Sequence, residues 1–226
     1  MSDESERAVM SKLKSIDLHV DPGSVIQDAR KAGLNVHNIG DFQSQITNYW
    51  RIEDLMNSYA GVAARYSAMS GAGAGVGGFG TRVTLGVVDI ANMAAQLFRL
   101  GQRLAIVNGL DPSDEHQNEK ITEIYLYALG FDAVAQIAIR AKLQQANDIA
   151  GKSGANSNSV LRLIIIVAGK MGFQINTKQA AKYIPIVGAF AGAGTNYAFA
   201  KVAAKKMIGT YKDDYFRTFQ AASAQS

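Results

Sequence analysis

The sequence predicts an all-α protein, a single multi-helix domain in which glycine-rich helices pack closely. Apolar residues recur at steps of three and four through most of the chain, a spacing that suits helices and not strands. Two glycine-rich apolar segments, Gly71 to Gly80 and Ile184 to Ala200, supply small residues of the kind that let helix backbones approach one another. The one run that resembles a buried strand, Leu163 to Val167, has no second strand candidate nearby to pair with.

The chain opens with a short helical pattern in Ala8, Val9, Leu13 and Ile16. Asp21-Pro22-Gly23 breaks it, because proline fixes φ and glycine admits positive φ. Ser24 is placed to cap a short helix from Val25 to Lys31, ended by Gly33. Residues 1–45 are read as an N-terminal helical extension, 46–220 as the main helical domain and 221–226 as a disordered polar tail. From Ile46, apolar positions at Tyr49, Trp50, Ile52, Leu55, Met56, Tyr59, Val62, Ala63, Tyr66 and Met69 mark the clearest amphipathic helix. Its tryptophan and three tyrosines are expected in the core.

After the first glycine segment, Val83 to Val107 is apolar on nearly every side, broken by Asp89, Asn92, Gln96, Arg99 and Arg103. Such a helix must be buried in protein or in lipid. Gly109 suits a left-handed C-terminal cap, Asp111 an N-cap and Pro112 a first helical position. Ile121 to Ala141 then reads as one long helix or two joined near Gly130. A polar loop at 151–159 precedes a helix over Val160 to Phe173, and Asn176 and Thr177 are placed to cap a short element from Lys178 to Tyr183. The second glycine segment leads into a basic stretch from Lys201 to Lys206.

Charged residues make up 19% of the 226, below the usual share of about 25%, so part of the apolar surface is expected to face something other than water. The absence of cysteine excludes disulfides, thiolate metal sites and cysteine nucleophiles. The opening MSDESERAVMSKLK lacks the apolar core of a secretory signal, and the protein is read as cytoplasmic. The net charge of +4 is spread along the chain without a basic block interleaved by aromatics, so no nucleic-acid partner is expected. A mildly basic surface is compatible with anionic lipid headgroups, and solubility alone accounts for it equally.

Neither glycine segment reads as a membrane span, which needs about 20 mainly apolar residues. Tyr183 to Ala200 contains a proline, three glycines, Thr195 and Asn196, and Arg82 and Asp89 interrupt the continuation of the first segment. The first segment matches G-x-G-x-x-G at Gly73, Gly75 and Gly78, and again at Gly75, Gly77 and Gly80, but a helical pattern rather than a strand precedes it. Gly151-Lys152-Ser153 lacks the earlier glycine of a phosphate loop. His19, His37 and His116 stand far apart; His116 lies among Asp111, Asp114, Glu115 and Glu119, acids expected in a first helical turn because they oppose its dipole. No serine occupies G-x-S-x-G. Asp89 and Asn196 stand out as polar residues inside apolar segments, where a structural hydrogen bond is the expected role, for Asp89 with an arginine such as Arg82 or Arg99.

Two blocks, GAGAGVGGFGTRVTLGVVDIANMAAQLFRLGQRLAIVNGLDPSDE at 71–115 and KYIPIVGAFAGAGTNYAFAKVAAKKM at 182–207, resemble the EcsC protein family. They hold its glycine-rich helix entry, an internal Asp89, an arginine-bearing stretch, a turn with Gly109 and Asp111, and an Ile184-Pro185-x-Val187-Gly188 segment followed by Asn196. Asn108 departs from the pattern, which has an aromatic before the turn glycine, and the first 45 residues add nothing to the resemblance. The family takes its name from a gene beside those of a bacterial ABC exporter, and no catalytic residues carry over from it. The resemblance implies a bacterial cytoplasmic protein that works at the membrane. The leading expectation is a non-enzymatic helical protein, peripheral at the inner membrane or holding a lipid-like apolar ligand, without cofactor or metal. Gly75, Phe79, Asp89, Arg99, Gly188, Gly192 and Asn196 are its candidate ligand- or membrane-contact residues, and membrane lipid, another apolar ligand or a membrane protein its candidate partners. A soluble protein–protein interaction module linked to transport or secretion is the alternative, and a hydrolase with an unrecognised site the third reading.

Overall fold

The computed structural model describes residues 17–70, 79–150, 155–176 and 193–220, and these are helical, with no strand among them. In chain order the helices are α1 (Pro22–Lys31), α2 (Tyr49–Ser70), α3 (Phe79–Val107), α4 (Glu115–Ala128), α5 (Ala133–Ala150), α6 (Ala155–Asn176) and α7 (Ala193–Tyr215). Two 3-10 turns, Ile39–Ser44 and Ile46–Asn48, lead into α2, and a π-helical turn, Phe216–Gln220, ends α7.

Pro22 is the first residue of α1. Asp21, not Ser24, is its cap: the two carboxylate oxygens accept the amides of Gly23 and Ser24 at 3.1 and 3.0 Å, while the Ser24 hydroxyl donates back to the Asp21 carbonyl. A carboxylate offers two acceptors where a hydroxyl offers one oxygen, and Pro22 at the first helical position has no amide to satisfy. Gly33 ends the helix in the left-handed region at φ +84, as its position predicts. The first 3-10 turn is closed by a reciprocal cap between Asn38 and Asp41, and the backbone amide of His37 holds the Asp41 carboxyl below its ordinary range.

Along α2 the buried face runs Tyr49, Ile52, Met56, Tyr59, Ala63 and Ser67. Trp50 and Tyr66 lie off that face and are more than half exposed, so the expectation of a fully buried aromatic set holds for Tyr49 and Tyr59 only. Trp50 instead lies beneath the Arg51 guanidinium at 4.4 Å.

The question of what surrounds the apolar helix is answered by α3 itself. Met93, Ala94, Ala95, Leu97, Phe98, Leu100, Leu104, Ala105, Ile106 and Val107 are buried on all sides of the helix, under α1, α2, α4, α6 and α7. From Ile90 to Val107 it is enclosed by protein. Close approach is achieved with alanine: Ala63 and Ala64 on α2, Ala91, Ala94 and Ala95 on α3, and Ala200, Ala203 and Ala204 on α7 are all buried. Gly101 lies against α7, where a Cβ would stand 4.0 Å from Met207 Sδ. The glycines expected to do this work at Gly71 to Gly78 and at Gly188 and Gly192 lie outside the described residues, as do the expected element at 178–183, the first helical pattern at 8–16 and the tail.

The turn after α3 is keyed from two directions. Gly109 has φ +80, and its carbonyl accepts Gln43 Nε2 at 3.2 Å; a Cβ there would stand 2.7 Å from Gln43 Cγ. Asp111 does not cap α4. It closes the Pro112-Ser113 turn by accepting the Ser113 amide and hydroxyl, and Asp114 caps α4 by accepting the Gln117 amide. Two helices follow rather than one long one, parted at Gly130 with φ +89. Helix α6 starts within the expected polar loop, and Leu163 to Val167 is helical as expected.

Polar groups lock the periphery to this framework. Asn108, buried before the turn glycine, accepts the Tyr49 hydroxyl at 2.9 Å and donates to the Leu104 carbonyl. Gln102 on α3 donates to the Leu18 carbonyl at 2.8 Å and accepts the Val20 amide at 3.3 Å, fixing the extended segment before α1. Tyr125 donates to the Ala94 carbonyl, and Tyr215 donates to the Phe42 carbonyl at 2.6 Å beneath the rings of Tyr49, Phe216 and Phe219. Asp214, buried, is held by both Lys120 and Arg217.

Replacing Asn108 with alanine removes the acceptor of a buried hydroxyl, and the expected loss is about 1–3 kcal/mol, measured by denaturant unfolding. Burial raises the hydroxyls of Tyr49, Tyr59, Tyr125 and Tyr211 above their ordinary value of 10.0 and pushes Tyr215 up to about 12. In this case the folded state binds more protons than the unfolded state once the pH passes 10, so stability is full below that pH and falls as it rises. Alkaline titration followed at the tyrosinate absorbance should therefore show these hydroxyls ionising together with loss of helical circular dichroism.

Candidate functional site

The candidate contact residues are distributed over three situations. Gly75, Gly188 and Gly192 lie outside the described residues. Phe79 is the first residue of α3. Asp89 and Arg99 are half-buried on α3, and Asn196 is buried on α7. Tyr49 meets Asn108 and Tyr215, Arg103 lies over Tyr59, and Lys212 pairs with Glu53, so α2 runs antiparallel to both α3 and α7. Helices α3 and α7 therefore run in the same direction, with Gly101 beside Met207. On α3 itself, Arg99 stands ten residues, or about 15 Å, beyond Asp89. Asp89 is not a free carboxylate.

The polar interruptions of α3 are spaced 3, 4, 3 and 4 residues apart from Asp89 to Arg103, which puts them on one stripe. The stripe faces α2 and the segment before α1. The Arg103 guanidinium packs over the Tyr59 ring at 5.1 Å, and the Tyr59 hydroxyl donates to Asp28 on α1 at 3.1 Å. Burial, with the like charge of Arg103 beside it, disfavours the charged form of Arg99.

Among the described residues no three histidine, aspartate or glutamate side chains come together in a group that could hold a metal ion. His19, His37 and His116 are exposed and far apart. Of the acids around His116, Glu115 lies in the first turn of α4 as expected, while Asp111 closes the turn before it and Asp114 caps it. Among the described residues no helix is long and apolar enough to cross a membrane.

A second feature lies on α4, α5 and α7. The exposed face of α7 carries Tyr197, Lys201, Val202, Lys205 and Lys206. Lys201 Nζ stands 5.6 Å from the centre of the exposed Tyr197 ring, and Lys206 Nζ 5.8 Å from that of Tyr127 on α4. The Arg140–Glu123 pair, 3.7 Å apart, ties α5 to α4. Val134 and Ile137 are 77% and 68% exposed, the most exposed large apolar side chains among the described residues. None of the three α7 lysines has an ion-pair partner among the described residues. The periodicity of α5 hid this face, because the apolar residues that mark the helix, Val134, Ile137, Ala138 and Ala141, are all exposed, and Ile139 is the one that is buried. Its residual signal is that these apolar positions are too many for one side of a helix.

The model of the EcsC protein family matches residues 7–212. The chain belongs to the EcsC protein family. The match extends beyond the two glycine-rich blocks and takes in α1 and the 3-10 turns, which bury Val25, Ala29 and Phe42 in the common core. No curated protein and no solved structure matches the chain. The basic aromatic face of this EcsC protein is separable from its core. Changing Lys201, Lys205 and Lys206 together to glutamine should leave unfolding free energy within about 0.5 kcal/mol of wild type by denaturant titration.

Proposed function

We propose that this EcsC-family protein is a non-enzymatic helical protein that binds peripherally to the anionic surface of the bacterial inner membrane through α4, α5 and α7. The observation that carries the reading is the pairing of lysine ammonium groups with exposed rings, Lys206 over Tyr127 and Lys201 over Tyr197, to which α5 adds the exposed Val134 and Ile137. Aromatic rings and short aliphatic side chains enter the headgroup region, and lysines whose stems lie along them present charge to anionic lipid. That these lysines have no carboxylate partner among the described residues favours this reading over simple solubility, since surfaces built for solubility mix both signs.

A lysine near an anionic bilayer contributes about 1 kcal/mol, so three together are worth about a hundredfold in partition. Flotation of the full chain with phosphatidylglycerol vesicles should recover it with the lipid at low salt. The Lys201, Lys205 and Lys206 glutamine variant should lose most of that binding, and molar salt should release the wild type, because the screening length then falls to about 3 Å. Equal recovery with neutral phosphatidylcholine, or recovery indifferent to the three lysines, would sink the proposal.

A further inference from the structure

On the opposite side of α3 from this face, we propose that Arg99 and Arg103 form a binding site for a phosphate group. The two arginines stand one helical turn apart on the same stripe, where like charges destabilise each other. Arg99 Nε is buried and has no hydrogen-bond partner among the described residues. A buried donor calls for an acceptor, and an anion held between the two guanidinium groups would supply one. Neither arginine forms an ion pair among the described residues, although carboxylates stand near both. Each carboxylate also serves another group: Asp17 accepts the His19 amide at 3.0 Å, and Asp28 accepts the Tyr59 hydroxyl and stands 3.7 Å from Lys31.

The surroundings orient the pair and neutralise it only in part, Asp17 favouring the charge on Arg99 against the larger effects of its burial and of Arg103. Tyr59 backs the Arg103 guanidinium, and the Tyr59 hydroxyl is itself fixed by Asp28. Burial and the neighbouring Arg103 both work against the charge on Arg99, the effect an anion lying between the two guanidinium groups would reverse. Phosphate fits the donors best. Each guanidinium offers a planar fork of N–H groups, and a tetrahedral oxyanion has oxygens enough to meet two forks at once, whereas one carboxylate is filled by one arginine. The group belongs either to a lipid headgroup or to a soluble phosphorylated molecule. The site does not depend on the lysine face, which lies on other helices.

The test uses the full chain with inorganic phosphate, chloride holding the ionic strength constant. Phosphate should raise the melting temperature of the wild type and broaden the phosphate resonance in phosphorus NMR. Arg99→Gln and Arg103→Gln should each weaken phosphate binding by about tenfold or more. Without phosphate, Arg99→Gln should melt no lower than wild type, because it removes a charge that is compensated only in part; Arg103→Gln, at a less buried position, provides the same reading if the first variant folds poorly. Phosphatidic acid vesicles separate the two sources. Retention that drops in both variants assigns a lipid headgroup. Unchanged retention with a lost phosphate response assigns a soluble ligand. The proposal is overturned if phosphate leaves the wild type unmoved and vesicle retention ignores both substitutions, or if the phosphate response survives in both variants.

Discussion

Enclosure of α3 by protein is the condition on which the other elements depend. From Ile90 to Val107 this helix is buried apart from the stripe of Gln96, Arg99 and Arg103, so each neighbour must present a surface that fits it and must satisfy its own polar groups while doing so. The solutions are local and particular. Tyr125 reaches the Ala94 carbonyl, Tyr49 reaches Asn108 at the helix end, and Gln102 turns its amide toward an extended stretch of backbone. Alanine at the contacts of α2, α3 and α7 keeps the backbones near enough for these short polar reaches to work.

Helix positions were legible in the sequence because periodicity reports which side chains share a face, and α2, α3, α6 and the pair parted at Gly130 follow from it. The caps were less legible. Ser24 and Asp111 are good capping residues by type, yet Asp21 and Asp114 do the capping. Several polar residues stand close together at each start, and which one caps is decided by where the chain enters, a tertiary matter. Exposure was the least legible. Trp50, Tyr66, Val134 and Ile137 have core composition, and whether a helix is covered on one side or two depends on neighbours that lie far off in sequence.

The candidate site shows the same division. The residues that break the apolar pattern of α3 were visible at once, and their shared stripe follows from their spacing. Their setting was not visible, because Tyr59 and Asp28 come from two other helices and Asp17 from the segment before α1. Asn108 illustrates the limit of a family pattern. It departs from the expected aromatic, and the structure supplies the reason it is tolerated: the Tyr49 ring packs against Tyr215 and Phe216 nearby, while its hydroxyl needs the acceptor that asparagine provides.

The carboxamide of Gln102 sets the register of the segment before α1 as a neighbouring strand would, though no sheet is involved. One donor and one acceptor match a carbonyl and an amide two residues apart on extended chain, here Leu18 and Val20, with the Val20 side chain in the core. Sliding the segment by one residue would turn Val20 outward. Sliding it by two in one direction would offer Gln102 the nitrogen of Pro22, which has no hydrogen to give. In the other direction the larger Leu18 would have to occupy the place shaped for valine. A single side chain and a proline four residues beyond Leu18 thus admit one alignment of this stretch and exclude its nearest alternatives.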